Sequence, residues 1–181
     1  MAHSGPGRPR RTGVEDAVLA ATVSLVREQG YAGTTLDAIA REAGVAKTTV
    51  YRRWASKGDL ALDALVSIMG DPPVPGRDGT LHDAVGWMAG RIGDPEVHAL
   101  LVGLVDEAVR DPDLRARLRA SYRAPFEATL VEAWPLPAEQ VDLAFDVVVG
   151  ALLHHAAMAG SVSAELVDRV TDVAVGLLAG T

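Results

Sequence analysis

The chain has 181 residues, 17 Lys and Arg against 24 Asp and Glu, and a formal net charge of −7. A hydrophobic share of 49% excludes a disordered chain, and the absence of cysteine excludes disulfides, thiol catalysis and thiolate metal sites. The acidic average also argues against a phosphate-neutralising surface, unless the charge is unevenly spread. Aromatic residues make up only 4% of the chain, so the core is aliphatic and alanine-rich, which suits packed helices.

Residues 1–11 are polar and carry Arg8, Arg10 and Arg11. They read as a flexible basic arm, without the apolar run of a secretory signal. Helix starts follow. The pattern Ser/Thr-x-x-Asp/Glu, which lets a hydroxyl and a carboxylate cap free N–H groups, occurs at Thr12–Glu15, Thr34–Asp37, Ser56–Asp59 and Thr80–Asp83. Asp94-Pro95 and Asp111-Pro112 each place a capping carboxylate before a first-turn proline. Gly30, Gly44, Gly70, Gly93 and Gly160 fall at expected stops. The spacing predicts an all-α chain of about nine helices, over 13–29, 36–43, 47–54, 57–69, 81–92, 95–110, 112–133, 138–159 and 164–178. Pro125 predicts a kink or break in the seventh.

The predicted organisation is a basic arm (1–11), a front module (12–56), a connecting helix (57–70), a Pro/Gly-rich hinge (71–79) and a rear module (80–181). In the front module, Leu36, Ile39, Ala40 and Ala43 recur at helical spacing and form one buried face. Gly44 permits a tight turn, and Val45 plugs the corner. The next helix sets Ala46, Val50 and Trp54 on one side and turns Thr48, Tyr51 and Arg52 outward, with Lys47 and Thr49 flanking. Two short helices joined by a glycine turn, the second with a polar-basic outer face, make a helix-turn-helix. Short polar side chains let such a helix enter the major groove, where Arg, Lys and Tyr reach phosphates and base edges.

Gln29–Leu36, Ile39–Val45, Lys47–Trp54 and Ser56-Lys57 together resemble the DNA-binding domain of TetR/AcrR-type transcriptional regulators, over about residues 13–65. The pattern departs from that family at Ala46 (often a capping serine), Trp54 (usually phenylalanine) and Gly58 (commonly glutamate). By the resemblance, Thr35 meets a phosphate, Lys47, Thr48, Thr49 and Arg52 face bases and nearby phosphates, Tyr51 reaches the backbone, and Lys57 shares a phosphate at the start of its helix. Arg8, Arg10 and Arg11 read either as a solvated basic end or, favoured by their place just before a helix-turn-helix, as an arm for the minor groove.

The rear module shows no catalytic constellation. His154 and His155 diverge by about 100° on a helix and cannot easily share an ion, so no metal and no cofactor is expected. Arg115, Arg117, Arg119 and Arg123 read as partners in surface ion pairs. Residues Val147–Ala164 contain no Asp, Glu, Lys or Arg, yet glycine, serine and histidine interrupt them, so a buried helix is expected rather than a membrane span. The two last helices are apolar over most of their surface. The family dimerises through them, which assigns Val148, Leu152, His155, Val170, Ala174 and Leu177 to a dimer interface. Trp87, Met88, Leu101, Val105, Tyr122, Phe126 and Phe145 are candidate lining for an effector pocket, or simply core.

These readings converge on a cytoplasmic, homodimeric regulator without enzymatic activity. It is expected to repress from a palindromic double-stranded DNA operator and to be released by a small, largely apolar effector of unknown identity. A helical protein-interaction module or a small helical enzyme remains the alternative. The acidic average is no obstacle, because residues 1–60 hold 9 Lys and Arg against 6 Asp and Glu, while residues 61–181 hold 8 against 18.

Overall fold

The computed structural model describes residues 13–71, 73, 79–133 and 137–179. Its regular elements are helices: α1 (Gly13–Gly33), α2 (Leu36–Glu42), α3 (Lys47–Arg53), α4 (Lys57–Met69), α5 (Leu81–Gly93), α6 (Pro95–Arg110), α7 (Pro112–Leu118), α8 (Ala124–Ala133), α9 (Ala138–Ala159) and α10 (Ala164–Ala179). A π turn, Arg119–Arg123, joins α7 to α8. The all-α class and the arrangement of a three-helix head before a helical body are as the sequence predicts.

The caps explain most boundaries. Ser56 with Asp59, and Thr80 with Asp83, form complete reciprocal caps on α4 and α5. Asp94 accepts from the Glu96 amide at 2.8 Å, and Asp111 accepts from Asp113 and Leu114 at 3.0 and 2.9 Å. The expected cap at Thr34 is corrected. Thr35 caps α2, accepting from the Ala38 amide at 3.2 Å, while buried Thr34 donates to the Gly30 carbonyl at 2.9 Å. The one-residue shift follows from the backbone break at Gly30 (φ +77°), which turns Thr34 inward. Thr12 and most of the predicted hinge (72 and 74–78) lie outside the described residues.

Pro125 acts one turn earlier than its own position. It has no N–H for the carbonyl of residue 121, and its ring would crowd that carbonyl in a regular helix. The chain widens instead, so that the Ala124 amide reaches back to the Arg119 carbonyl.

The head and the body share one core. A continuous apolar cluster runs from Val18, Ile39 and Val50 in the head through Leu60 and Leu65 of α4 to Leu100, Leu104, Leu114 and Leu152. Helix α6 packs on both α1 and α4. The head therefore rests against the body along most of α4 rather than hanging from a single linker.

Ala46 caps α3 with extended backbone (φ −65°, ψ 139°) and no side-chain hydrogen bond. A serine there fits the same backbone and supplies an acceptor for a first-turn amide. Ala46→Ser is expected to stabilise the fold by about 1 kcal/mol, raising the unfolding midpoint by roughly 2–4 °C in calorimetry.

Candidate nucleic-acid interface

The helix-turn-helix is assembled from short-range rules. Leu36, Ile39 and Ala40 bury one face of α2, and Val50 and Trp54 bury one face of α3. Between them Gly44 adopts φ +67°, a left-handed conformation that costs glycine little. The Val45 amide then closes the turn on the Ala40 carbonyl at 3.0 Å. Ala46, expected with Val50 and Trp54, is exposed in the turn instead. The Trp54 indole donates to Asp63 of α4 at 2.8 Å, which gives the unusual tryptophan a polar anchor that phenylalanine lacks.

This packing leaves Lys47, Thr48, Tyr51 and Arg52 exposed and Thr49 half-buried. Tyr51 is 53% exposed, so its ring is a surface feature. Arg52 has no ion-pair or hydrogen-bond partner among the described residues. Arg53, by contrast, faces back and pairs with Glu15 of α1 at 2.7 Å. The face also contains Asp37, which sequence reasoning treated only as a capping residue. Asp37 accepts from the Lys47 ammonium and, at 3.2 Å, from the Tyr51 hydroxyl. The hydrogen bond from Lys47 is the main reason its carboxyl sits below the usual carboxylate range. Asp37 thus joins two candidate DNA contacts across the α2–α3 crossing. Arg8, Arg10 and Arg11 lie outside the described residues.

Lys57 is placed differently from expectation. Its ammonium donates to the Tyr31 carbonyl at 2.9 Å and lies 4.2 Å from the centre of the Tyr31 ring. It belongs to a junction between head and body. The Tyr31 hydroxyl donates to Glu107 of α6 at 2.6 Å, and burial, followed by that bond, pushes the phenol well above its ordinary pKa. The ring lies directly over Gly103, where an added Cβ would come within 2.2 Å of it. Beside it, Gly58 faces Leu114 of α7, whose methyl would be 2.8 Å from a Cβ at that position. Asp59 pairs with Arg117 of α7 at 2.7 Å. The glycine at 58, a departure from the family pattern, is thus a seat for Leu114. Sequence reasoning missed Tyr31, Gly103 and Glu107 because their meeting spans elements 70–76 residues apart, as in the Tyr31–Glu107 bond.

The candidate pocket residues divide between two spaces. Leu101, Val105, Tyr122 and Phe145 line a cleft of about 300 Å3 between α6, α7 with its π turn, and α9. Met88 and Phe126, again with Phe145, line a tighter apolar space among α5, α8, α9 and α10. Trp87 lines neither and packs against Phe126 with ring centres 5.4 Å apart and the rings tilted by 46°. The arginine row is ion-paired in part: Arg117 with Asp59, Arg119 with Asp142, and Arg123 with Glu127, Asp142 and Asp146. His82 meets Asp168 at 2.8 Å, tying α5 to α10.

The residues expected at a dimer interface are placed as follows. Val148, Leu152, Val170 and Ala174 are buried in their own protomer, where α9 and α10 pack on each other and on α5. His155 and Leu177 are half-buried. On these two helices the large apolar side chains left exposed are Leu143 and Met158 on α9, 51% and 72% exposed, and Val173 and Val175 on α10. Helix α9 is long and apolar enough to cross a membrane, with a mean hydropathy of 1.5 over its most apolar window. Its Asp142 and Asp146 are nevertheless held by arginines of the same helical body.

A helix-turn-helix head sharing its core with a helical body defines a class of protein: a DNA-reading module carried on an all-helical second module. The profile described as bacterial regulatory proteins, tetR family, matches residues 18–64. The match spans α1 from Val18 through most of α4, which is the helix-turn-helix head and the helix that follows it. A helix-turn-helix-type regulator of Bacillus subtilis, YdeS, itself uncharacterised, is 38% identical over 80 residues, which cover 44% of this chain and only 40% of that protein. A DNA-binding transcriptional repressor, TetR, of Mycobacteroides abscessus is 28% identical over 86% of this chain and 88% of its own length. The flavonoid-responsive regulator FrrA has a similar solved structure, 25% identical, with a TM-score of 0.61 over 92% of this chain and 95% of that one. These relatives are regulators, and the family is not one of enzymes.

Proposed function

We propose that the protein is a transcriptional repressor that binds a palindromic operator as a homodimer and lets go when a small effector occupies its helical body. The observation that carries this reading is the division of α3: Val50 and Trp54 are buried, while Lys47, Thr48, Tyr51 and Arg52 face outward on the same two turns. Thr35, at the start of α2, and Thr49 flank that face. The family match over residues 18–64 and the repressor similar to this chain support repression, and the similar flavonoid-responsive regulator supports an effector. The second copy would sit on the exposed Leu143, Met158 and Val173, with exposed His154 and half-buried Val147 between them. Pairing two copies there sets two heads against successive major grooves.

Helix α4 is the proposed lever. One end is capped by Ser56 beside the reading head, and its Asp59 is tied to Arg117 in the body. A shift of α7 is then felt at the head.

The test is selection of duplexes from a random-sequence library by the full-length protein, followed by binding titrations at several salt concentrations. Specific binding that weakens steeply with salt is expected. Arg52→Ala should lower affinity for the selected duplex by roughly ten- to a hundredfold and leave the fold intact. Absence of salt-sensitive, sequence-selective binding would overturn the reading.

A further inference from the structure

The cleft between α6, α7 and α9 has an uneven edge of charge. Three guanidiniums border it: Arg115, Arg119 and Arg123. Arg123 is enclosed by Glu127, Asp142 and Asp146. Arg119 reaches Asp142 at 3.2 Å and Glu127 at 3.9 Å. Arg115 has no carboxylate partner among the described residues and donates only to the Ala108 carbonyl, at 3.1 Å. Tyr122, only 7% exposed, stands between this cleft and a second space lined by Ser67, Asp71 and Pro125, and its buried hydroxyl has no hydrogen-bond partner among the described residues. Burial alone pushes that phenol up to about 12, so it is a neutral donor at any ordinary pH. A buried hydroxyl without a partner is costly, and native proteins rarely leave one. The rest of the surface is apolar, from Leu101 on α6 to Val149 and Leu153 on α9.

We infer that this cleft takes an amphipathic carboxylate. This rests on the reading of the body as an effector-binding module and names the chemistry of the effector. The acid end pairs with Arg115, whose planar fork matches two carboxylate oxygens. The apolar part lies on Leu101, Val149 and Leu153, and the Tyr122 hydroxyl gains an acceptor. A neutral apolar molecule would leave both polar groups unused, and a cation would meet the uncompensated guanidinium of Arg115. One unpaired guanidinium also suits a single negative charge. The position is apt for control, since Arg115 lies between Leu114, seated on Gly58, and Arg117, paired with Asp59.

The experiment is calorimetric titration of the full-length protein, without DNA, using hexanoate, decanoate and benzoate, each beside the alcohol and amine of the same skeleton. At least one acid is expected to bind about tenfold more tightly than its alcohol, with the amine weaker still. Arg115→Gln, a substitution at an exposed position, should reduce that preference to near unity without changing alcohol binding. Tyr122→Phe should weaken acid binding several-fold while leaving the unfolding midpoint unchanged or higher, because it removes an unpaired buried hydroxyl. Equal binding of acid and alcohol, no effect of Arg115→Gln, or no binding of any acid overturns the proposal. A parallel titration onto protein bound to its selected duplex separates the two readings. Acid binding with unchanged DNA affinity supports the site and counts against effector release. A protein that binds DNA but no acid overturns the site alone.

Discussion

Gly103→Ala is expected to lower the unfolding midpoint by roughly 6–12 °C, although alanine is the better helix former by about 1 kcal/mol. Gly103 is in the interior of α6, and a Cβ there would stand 2.2–2.5 Å from the Cγ, Cβ and Cδ2 atoms of Tyr31. Those atoms are near the root of the side chain, so rotation of the ring cannot clear them. The ring is also held from both sides, by the hydroxyl bond to Glu107 at 2.6 Å and by the Lys57 ammonium. Tyr31 must leave its seat. The overpacking, the lost charge-assisted bond and the exposed ring together cost about 3 kcal/mol net of the helix gain. Thermal unfolding with a double-mutant cycle checks the cause. Tyr31→Ala with Gly103→Ala should be no less stable than Tyr31→Ala alone, since the clash is gone. Additive losses would show that the glycine serves some purpose other than seating Tyr31.

Leu152→Ala and Met158→Lys, six residues apart on α9, are expected to fail in opposite ways. Leu152 has no exposed surface, so its truncation leaves a cavity and costs about 2–5 kcal/mol of stability. Met158 is 72% exposed in the protomer, and Leu143, about four turns toward the other end of the helix, is 51% exposed. Lysine at either position leaves the fold of the protomer in place but buries a charge at the proposed dimer contact. Sedimentation should then read the mass of a monomer with undiminished helical circular dichroism, and binding to a two-half-site duplex should fall by at least about a hundredfold. A dimer that survives Leu143→Lys combined with Met158→Lys would place the interface elsewhere.

The two sides of α9 show where sequence reading stops. Along 138–159 nearly every position is apolar, so periodicity cannot say which apolar side meets its own protomer and which meets a partner. The stripe of Asp142, Asp146, Gly150 and His154 looks continuous in sequence. In the fold it divides: Asp142 and Asp146 turn to Arg119 and Arg123, while Gly150 and His154 are exposed. On α10 the expected apolar set is buried at Val167, Val170, Ala174 and Leu178, but against α5 and α9 of the same chain.

The arrangement of the reading head was legible earlier. Its rules are local: a glycine at the turn, a buried stripe at helical spacing, a capping hydroxyl and a polar outer face, all within about twenty residues. Helix ends at Ser56, Thr80, Asp94 and Asp111 were equally plain, because a cap bonds amides only two or three residues away. What the tertiary structure alone decided is where Lys57 turns, why Gly58 and Gly103 are glycines, which arginine remains unpaired, and which side of α9 stays open. Each depends on a side chain from a distant element arriving at a particular place. Spacing along one helix fixes directions about its own axis and says nothing about what stands in those directions.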